Sequence, residues 1–320
     1  MNILRRTALI LPPYLWLLML FLIPFAIVFK ISLSDYALAI PRYMPQYSPD
    51  TGVGDLISKL DGENYQFILG DHLYNIWASI TNTLFGTEKE LVYADDLYWK
   101  AYVSSLKIAL FSTGLTLAVG FPFAWAMARS PEAYRPMLMM LVILPFWTSF
   151  LIRVYAWRGI LSQTGYLNQI LMALGIIDEP LIILNTNVAV YIGIVYTYLP
   201  FMVLPIYATL EKLDESLNEA AIDLGCTRTS AFWLVTLPLA RPGIIAGCFL
   251  VFIPALGEYV IPELLGGSDT LMIGKVLVEE FEKNGDWPSA SAGAVILLLI
   301  RSIPIVLFQR NQQKNQEAGL

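Results

Sequence analysis

The sequence is poor in charge, in histidine and in cysteine, and each shortage removes a class of function. Only 14% of its 320 residues are charged, against about 25% in soluble domains, which is too little to cover an aqueous surface. One histidine (His72) and two cysteines (Cys226, Cys248) are too few for a zinc site or a disulfide framework. A net charge of −6 without a basic stripe argues against nucleic-acid binding. No G-x-x-x-x-G-K-[ST] occurs. The nearest approach, Gly274-Lys275, lacks the upstream glycine and is followed by Val276, so the chain does not hydrolyse ATP by itself.

What is present is apolar. Hydrophobic residues make up 57% of the chain and the mean hydropathy is +0.60, as expected of an integral membrane protein. A spanning helix needs about 20 mostly apolar residues. Six segments qualify: Thr7–Phe29, Ile108–Ala128, about Pro136 to Gly159, a stretch within Pro180–Leu210 starting near Asn187, Pro242 to about Leu265, and Pro288–Phe308. The first follows Arg5-Arg6 but is longer than a signal-peptide core of about 7–15 residues and lacks an A-x-A site, so a retained anchor is expected. The expected fold is all-α, with six transmembrane helices. Residues 1–34 read as an N-terminal span, 35–101 as an outer loop, 102–309 as the core and 310–320 as a tail.

An even number of spans puts both termini on one side. Segments 1–7, 129–136, 211–241 and 310–320 hold nine Lys/Arg in 57 residues, whereas 35–101, 159–186 and 263–288 hold six in 121. By the positive-inside rule both termini are cytoplasmic. The outer segments also carry 18 Asp/Glu against those six bases, and the inner ones seven against nine. Two readings stand. External loops tolerate acids freely, or the acids form an entrance that concentrates cations. The long outer loop, rich in turn formers (Pro41, Pro45, Pro49, Gly52, Gly54), is expected to contain short helices around Leu73–Leu84 and to pack over the outer face or meet a partner. His72 is expected to be an ordinary loop residue.

The stretch Glu211–Arg241 is the most informative. Ser216-x-x-Glu219 has the form of a capping box, opening a helix through Leu217, Ala220, Ala221 and Leu224. Gly225 interrupts it, and a second short amphipathic segment runs through Phe232, Trp233 and Val235 to Leu237-Pro238. Two short helices bent at a glycine form a knob suited to a groove on a soluble partner. The alternative is an interfacial helix lying on the membrane.

Glu219-Ala220-Ala221, three residues, Gly225, nine residues, then Val235-x-Leu237-Pro238 resembles the EAA loop of bacterial ABC-importer permeases, with valine where that motif has isoleucine. The similarity extends over roughly residues 100–305. Ile143-Leu144-Pro145, Thr148–Trp157, Pro200–Tyr207, Phe252–Glu258, Ile261–Gly267 and Asp286-Trp287-Pro288 resemble putrescine/spermidine importer permeases, the putrescine-type subunit most of all. The resemblance implies a type I ABC-importer permease bundle (MetI-like). It implies that Glu219, Ala220, Ala221, Leu224 and Gly225 couple to an ATPase. It also implies a second related permease subunit, two copies of a cytoplasmic ATPase that bind the ATP and Mg, and a periplasmic polyamine-binding protein. No cofactor is expected in this chain.

The apolar interior adds a cargo argument. Glu258 lies in an apolar segment beside Gly257, bracketed by Pro254 and Pro262. An ionised group at a helix centre costs about 2.5–3.5 kcal/mol on insertion scales, and irregular backbone at depth lines a cavity or is buried in protein. Glu258 is therefore a candidate ligand for a cation. It could equally pair with Arg153 or Arg158, or be a protonated carboxyl bonded to a neighbouring helix. Glu263 lies nearer the outer end, as a second ligand or an interface residue. Trp147, Tyr155, Trp157, Tyr191 and Tyr198 could supply cation–π contacts along an alkyl-diammonium cargo, or serve as interfacial anchors. Tyr191 and Tyr198 are seven residues apart and share a helix face. Arg153 and Arg158 are expected to snorkel towards headgroups, and the cysteines to be packing residues. An ABC permease for another small cationic or organic solute is the nearest rival. An ion-coupled secondary transporter would need internal repeats, which are not evident, and a membrane scaffold would leave Glu258 unexplained.

Overall fold

In the computed structural model, residues 3–46, 57–85 and 96–317 are described. Thirteen helices are labelled here. They are α1 (Ile3–Ser32), α2 (Asp71–Phe85), α3 (Asp96–Arg129), α4 (Arg135–Ile143), α5 (Phe150–Leu161), α6 (Tyr166–Ala173) and α7 (Asn187–Leu210). Then follow α8 (Ser216–Asp223), α9 (Arg228–Ala231), α10 (Leu237–Leu256), α11 (Val260–Leu265), α12 (Ile273–Glu279) and α13 (Trp287–Glu317). Among the described residues, five helical stretches are long and apolar enough to cross a membrane, or six when one bent pair is counted as a span.

The chain divides into two compact units, Met1–Lys100 with Val276–Ile300, and Ala101–Lys275 with Arg301–Leu320. In the first, α1 from Ile10 onwards is exposed on nearly every side, as a helix that is hydrophobic all round must be when lipid is its solvent. A two-stranded antiparallel hairpin follows, pairing Asp35 with Met44 and Tyr36 with Tyr43. Lys30 anchors it, donating to Pro45 O at 2.7 Å and lying 4.4 Å above the Tyr43 ring. α2 coincides with the short helix expected near Leu73–Leu84. His72 is no loose loop residue: it stacks on Trp99 at 5.4 Å and faces Asp96 at 3.7 Å. Pro49, Gly52 and Gly54 lie outside the described residues.

The second unit is built on α7 packed against α10. α7 begins at Asn187, as the sequence indicates, and its residues Met202, Val203 and Ile206 are fully buried. Gly243 and Gly247 of α10 face Thr209 and Met202 of α7, the small-residue contact that lets membrane helices approach closely.

Three expectations are corrected. The third span is not one helix through 136–159: α4 and its 3-10 extension (Leu144–Trp147) meet α5 at a 90° bend. Extended backbone at Thr148 breaks the ladder there. The amphipathic segment does not end at Leu237-Pro238. A π turn at Phe232–Thr236, with Leu237 N–H reaching back to Phe232 O, accommodates the proline ring, and the chain continues helically to Leu256. The fifth span therefore stops at Leu256 rather than Leu265, and Gly257-Glu258-Tyr259 separate it from α11.

Candidate functional site

Two sites emerge in the second unit, one in the loop after α7 and one at the break after α10. In the loop, α8 carries Glu219, Ala220 and Ala221. It is not opened by the expected capping box. Asp214 Oδ1 accepts from Ser216 N–H at 3.0 Å instead, and the neighbouring Glu215 makes no side-chain cap. That N–H holds the Asp214 carboxyl below its usual range. At the other end Gly225 has φ +93°, and two bonds finish the helix, Cys226 N–H to Ala221 O at 3.0 Å and Gly225 N–H to Ile222 O at 2.9 Å. This is a Schellman termination, which needs a left-handed residue at the position of Gly225. Thr227 then caps α9 by accepting from Ser230 N–H at 3.2 Å.

The loop is clamped to the bundle from three sides. Arg129 at the end of α3 pairs with Glu215. Arg135 at the start of α4 lies 3.8 Å from Glu211, which also accepts from Tyr207 at 2.7 Å. Thr236 in the π turn donates to Asn218 of α8 at 3.0 Å. Phe232 presents edge contacts to Phe121 and Trp125 of α3, with centroids 5.9 and 6.3 Å away. Beside these rings lies a cavity of about 770 Å³ lined by Trp125, Asn218, Glu219, Ile222 and Phe232 among others. Leu224, by contrast, is 87% exposed, with Leu217, Glu219 and Ala220 also exposed. The loop is thus firmly held on its inner side and open on its outer side, the arrangement of a docking element.

At the break, Glu258 is 8% exposed. Its Oε1 accepts from Tyr259 N–H at 3.2 Å and Val260 N–H at 3.1 Å, so the carboxylate caps the N-terminus of α11. Its Oε2 accepts from Tyr198 on α7 at 2.5 Å. Neither Arg153 nor Arg158 is its partner. Arg153 lies 5.1 Å from the centroid of the Phe146 ring and Arg158 is exposed. The basic group beside Glu258 is Arg301 of α13, whose Nη2 donates to Pro254 O at 3.5 Å. Composition gave no way to choose Arg301 over the other two arginines, because its position depends on how α13 packs.

The remaining pathway candidates are dispersed. Glu263 is exposed and pairs with Lys275 at 3.3 Å. Tyr191 meets Phe111 edge-on at 4.8 Å, next to a cavity of about 560 Å³ that also has Lys107 in its wall. Trp147 and Tyr155 are 75% and 55% exposed, and Trp157 packs on Tyr196 at 5.3 Å. Of the seven residues proposed for a pathway, the fold brings only Tyr198 and Glu258 together.

Residues 118–316 match the family described as the binding-protein-dependent transport system inner membrane component. The spermidine/putrescine transport system permease protein PotB of Escherichia coli (strain K12) is 42% identical over 233 residues, spanning 73% of this chain and 85% of the relative. PotB of Haemophilus influenzae is 44% identical over 225 residues, 70% of this chain and 79% of the relative. Among solved structures, a chain of a bacterial alginate ABC transporter, in complex with an alginate pentasaccharide-bound periplasmic protein, superposes with a TM-score of 0.52. At 18% identity, over 78% of this chain and 90% of the other, this likeness concerns the fold.

Proposed function

This chain belongs to the family of binding-protein-dependent transport system inner membrane components, and on that premise we propose that it is the permease subunit of an ATP-driven polyamine importer. The observation that carries the cargo class is the extended identity to permeases named for spermidine and putrescine. The rigidly clamped, outward-open α8 knob supports a coupling role. ATP is hydrolysed by separate subunits, and this chain moves no bonds.

In this reading two copies of an ATPase subunit engage the 211–241 loops of this chain and of a second, related permease. Glu219, Ala220, Ala221, Leu224 and Gly225 form the contact, and both termini lie on the cytoplasmic side of the inner membrane. A periplasmic binding protein delivers the polyamine to the acidic outer segments. Nucleotide biases a two-state helix bundle, and the clamped loop transmits that bias to α3, α4 and α7. A carboxylate at the α10–α11 break, with Tyr198 beside it, offers a cation the one strong intramembrane anchor in the described part of this unit. Trp147, Tyr155, Tyr191 and Glu263, dispersed within this chain, are proposed to contribute to a path that the second permease completes.

The test is uptake in cells lacking polyamine import, supplied with the other subunits with or without this chain. Accumulation of labelled putrescine or spermidine only when this chain is present supports the reading. Accumulation of neither polyamine, with assembly intact, removes the cargo assignment and leaves family membership in place.

A further inference from the structure

Arg301 sits midway along the last spanning helix, where an ionised group is costly unless it has partners. Its guanidinium lies against Gly257: a β-carbon at that position would collide with Nη2. Its hydrogen bond to Pro254 O is long, at 3.5 Å. The Nε atom is buried and has no hydrogen-bond partner among the described residues. A guanidinium carries five N–H donors in a fixed fork that suits a carboxylate, yet here it is only loosely engaged. The neighbouring acid is Glu258, whose two oxygens are taken by Tyr198 and the backbone of α11. A charged donor with unused capacity therefore stands beside an acid that the fold has pointed elsewhere.

We infer that Arg301 is a tethered competitor of the cargo, a built-in cation held against Gly257 beside Glu258, whose positive charge the ammonium group of a polyamine must overcome to bind there. Its role is one of positioning and specificity. By opposing cargo at Glu258, it keeps the intramembrane site weak enough to release what it accepts, which a conducting site must do. It also disfavours a cation too weakly bound to overcome a neighbouring guanidinium. Gly257 is part of the device, because only a residue without a side chain leaves the guanidinium room beside the break. The inference rests on the reading of Glu258 as a cargo anchor, and the experiment separates the two.

Equilibrium binding of labelled spermidine is measured on the purified permease–ATPase complex without its binding protein, together with uptake by the complete importer in vesicles. The variants are Arg301→Met, Arg301→Lys, Gly257→Ala and Glu258→Gln. Arg301→Met is expected to bind on the order of tenfold more tightly, the change that follows when about 1.4 kcal/mol of competition is removed, while maximal uptake falls. Arg301→Lys, which keeps the charge, returns towards wild type. Gly257→Ala displaces the guanidinium without removing it, and is expected to shift affinity in the same direction as Arg301→Met. In the Glu258→Gln background the Arg301→Met effect disappears. Unchanged affinity in an assembled Arg301→Met complex overturns the inference, as does a gain that persists in the Glu258→Gln background. If Arg301→Met does not assemble, Arg301→Gln, which is neutral and keeps an amide donor, carries the same comparison. A different result bears on the underlying reading: if Glu258→Gln alone leaves binding and uptake unchanged, Glu258 is not a cargo anchor.

Discussion

Tyr198 and Glu258 lie 60 residues apart in sequence and meet in a 2.5 Å hydrogen bond that joins α7 to the break between α10 and α11. Both are buried. Tyr198→Phe preserves the ring and removes the donor, leaving one carboxylate oxygen short of a partner at a cost of about 1–3 kcal/mol. The expected result is a lower thermal unfolding midpoint for the purified complex with assembly intact. An unchanged midpoint contradicts the pairing.

Gly225 tests the coupling loop. Its φ is +93° and a β-carbon there meets nothing within 4 Å, so substitution strains the backbone and does not crowd it. Gly225→Leu carries a left-handed penalty of about 1–2 kcal/mol, comparable to the stability of a short terminal turn. Transport is expected to be lost while membrane insertion persists, with Gly225→Asn retaining more because asparagine tolerates this region. Wild-type uptake by Gly225→Leu contradicts the coupling role.

Leu224 is 87% exposed, so its replacement has little to disturb within this chain. Leu224→Asp is expected to leave thermal stability unchanged and to abolish co-purification of the ATPase subunit. Retained co-purification places the ATPase contact elsewhere.

Arg129 and Glu215 join α3 to the start of α8 with side chains 34% and 66% exposed, so their stability contribution is below about 1 kcal/mol. Their value is mechanical. Arg129→Glu alone is expected to lower polyamine-stimulated ATPase activity more than basal activity. The double exchange Arg129→Glu with Glu215→Arg is expected to restore coupling, and failure of both against a stable fold contradicts the clamp.

Asp214 gives the loop a pH dependence. Its folded-state carboxyl titrates below the ordinary value because it accepts from Ser216 N–H. Its contribution to the start of α8 is therefore fully present above the unfolded carboxylate range and lost as pH falls through the folded value. Protection of the amides at residues 216–219, measured relative to intrinsic exchange at each pH, is expected to fall on acidification in wild type. In Asp214→Ala it is expected to be low throughout, and pH-independent protection in wild type contradicts the cap.

Much of this was legible in the sequence, for identifiable reasons. Hydropathy located the apolar segments because the bilayer demands long runs, and it placed the start of α7 at Asn187. The glycine bend at Gly225 was readable because few other residues adopt its backbone conformation. Hydropathy has no direction, however, so the 90° turn at Thr148-Ser149 was invisible. A proline at 238 reads as a terminator unless a π turn precedes it, which no local rule announces. The capping box at Ser216 lost to an aspartate two residues earlier. The partner of Glu258 could not be read at all, since Tyr198 reaches it through the packing of α7, and Arg301 comes to lie against Gly257 only through the packing of α13.

The most direct test of the account is ATP-dependent accumulation of labelled putrescine and spermidine in vesicles holding the complete importer, wild type against Glu258→Gln. The account predicts accumulation by wild type and a selective loss in the variant, with assembly and basal ATPase activity retained. Equal accumulation by both contradicts a cargo site at the α10–α11 break, and no accumulation by the assembled wild type contradicts the polyamine assignment itself.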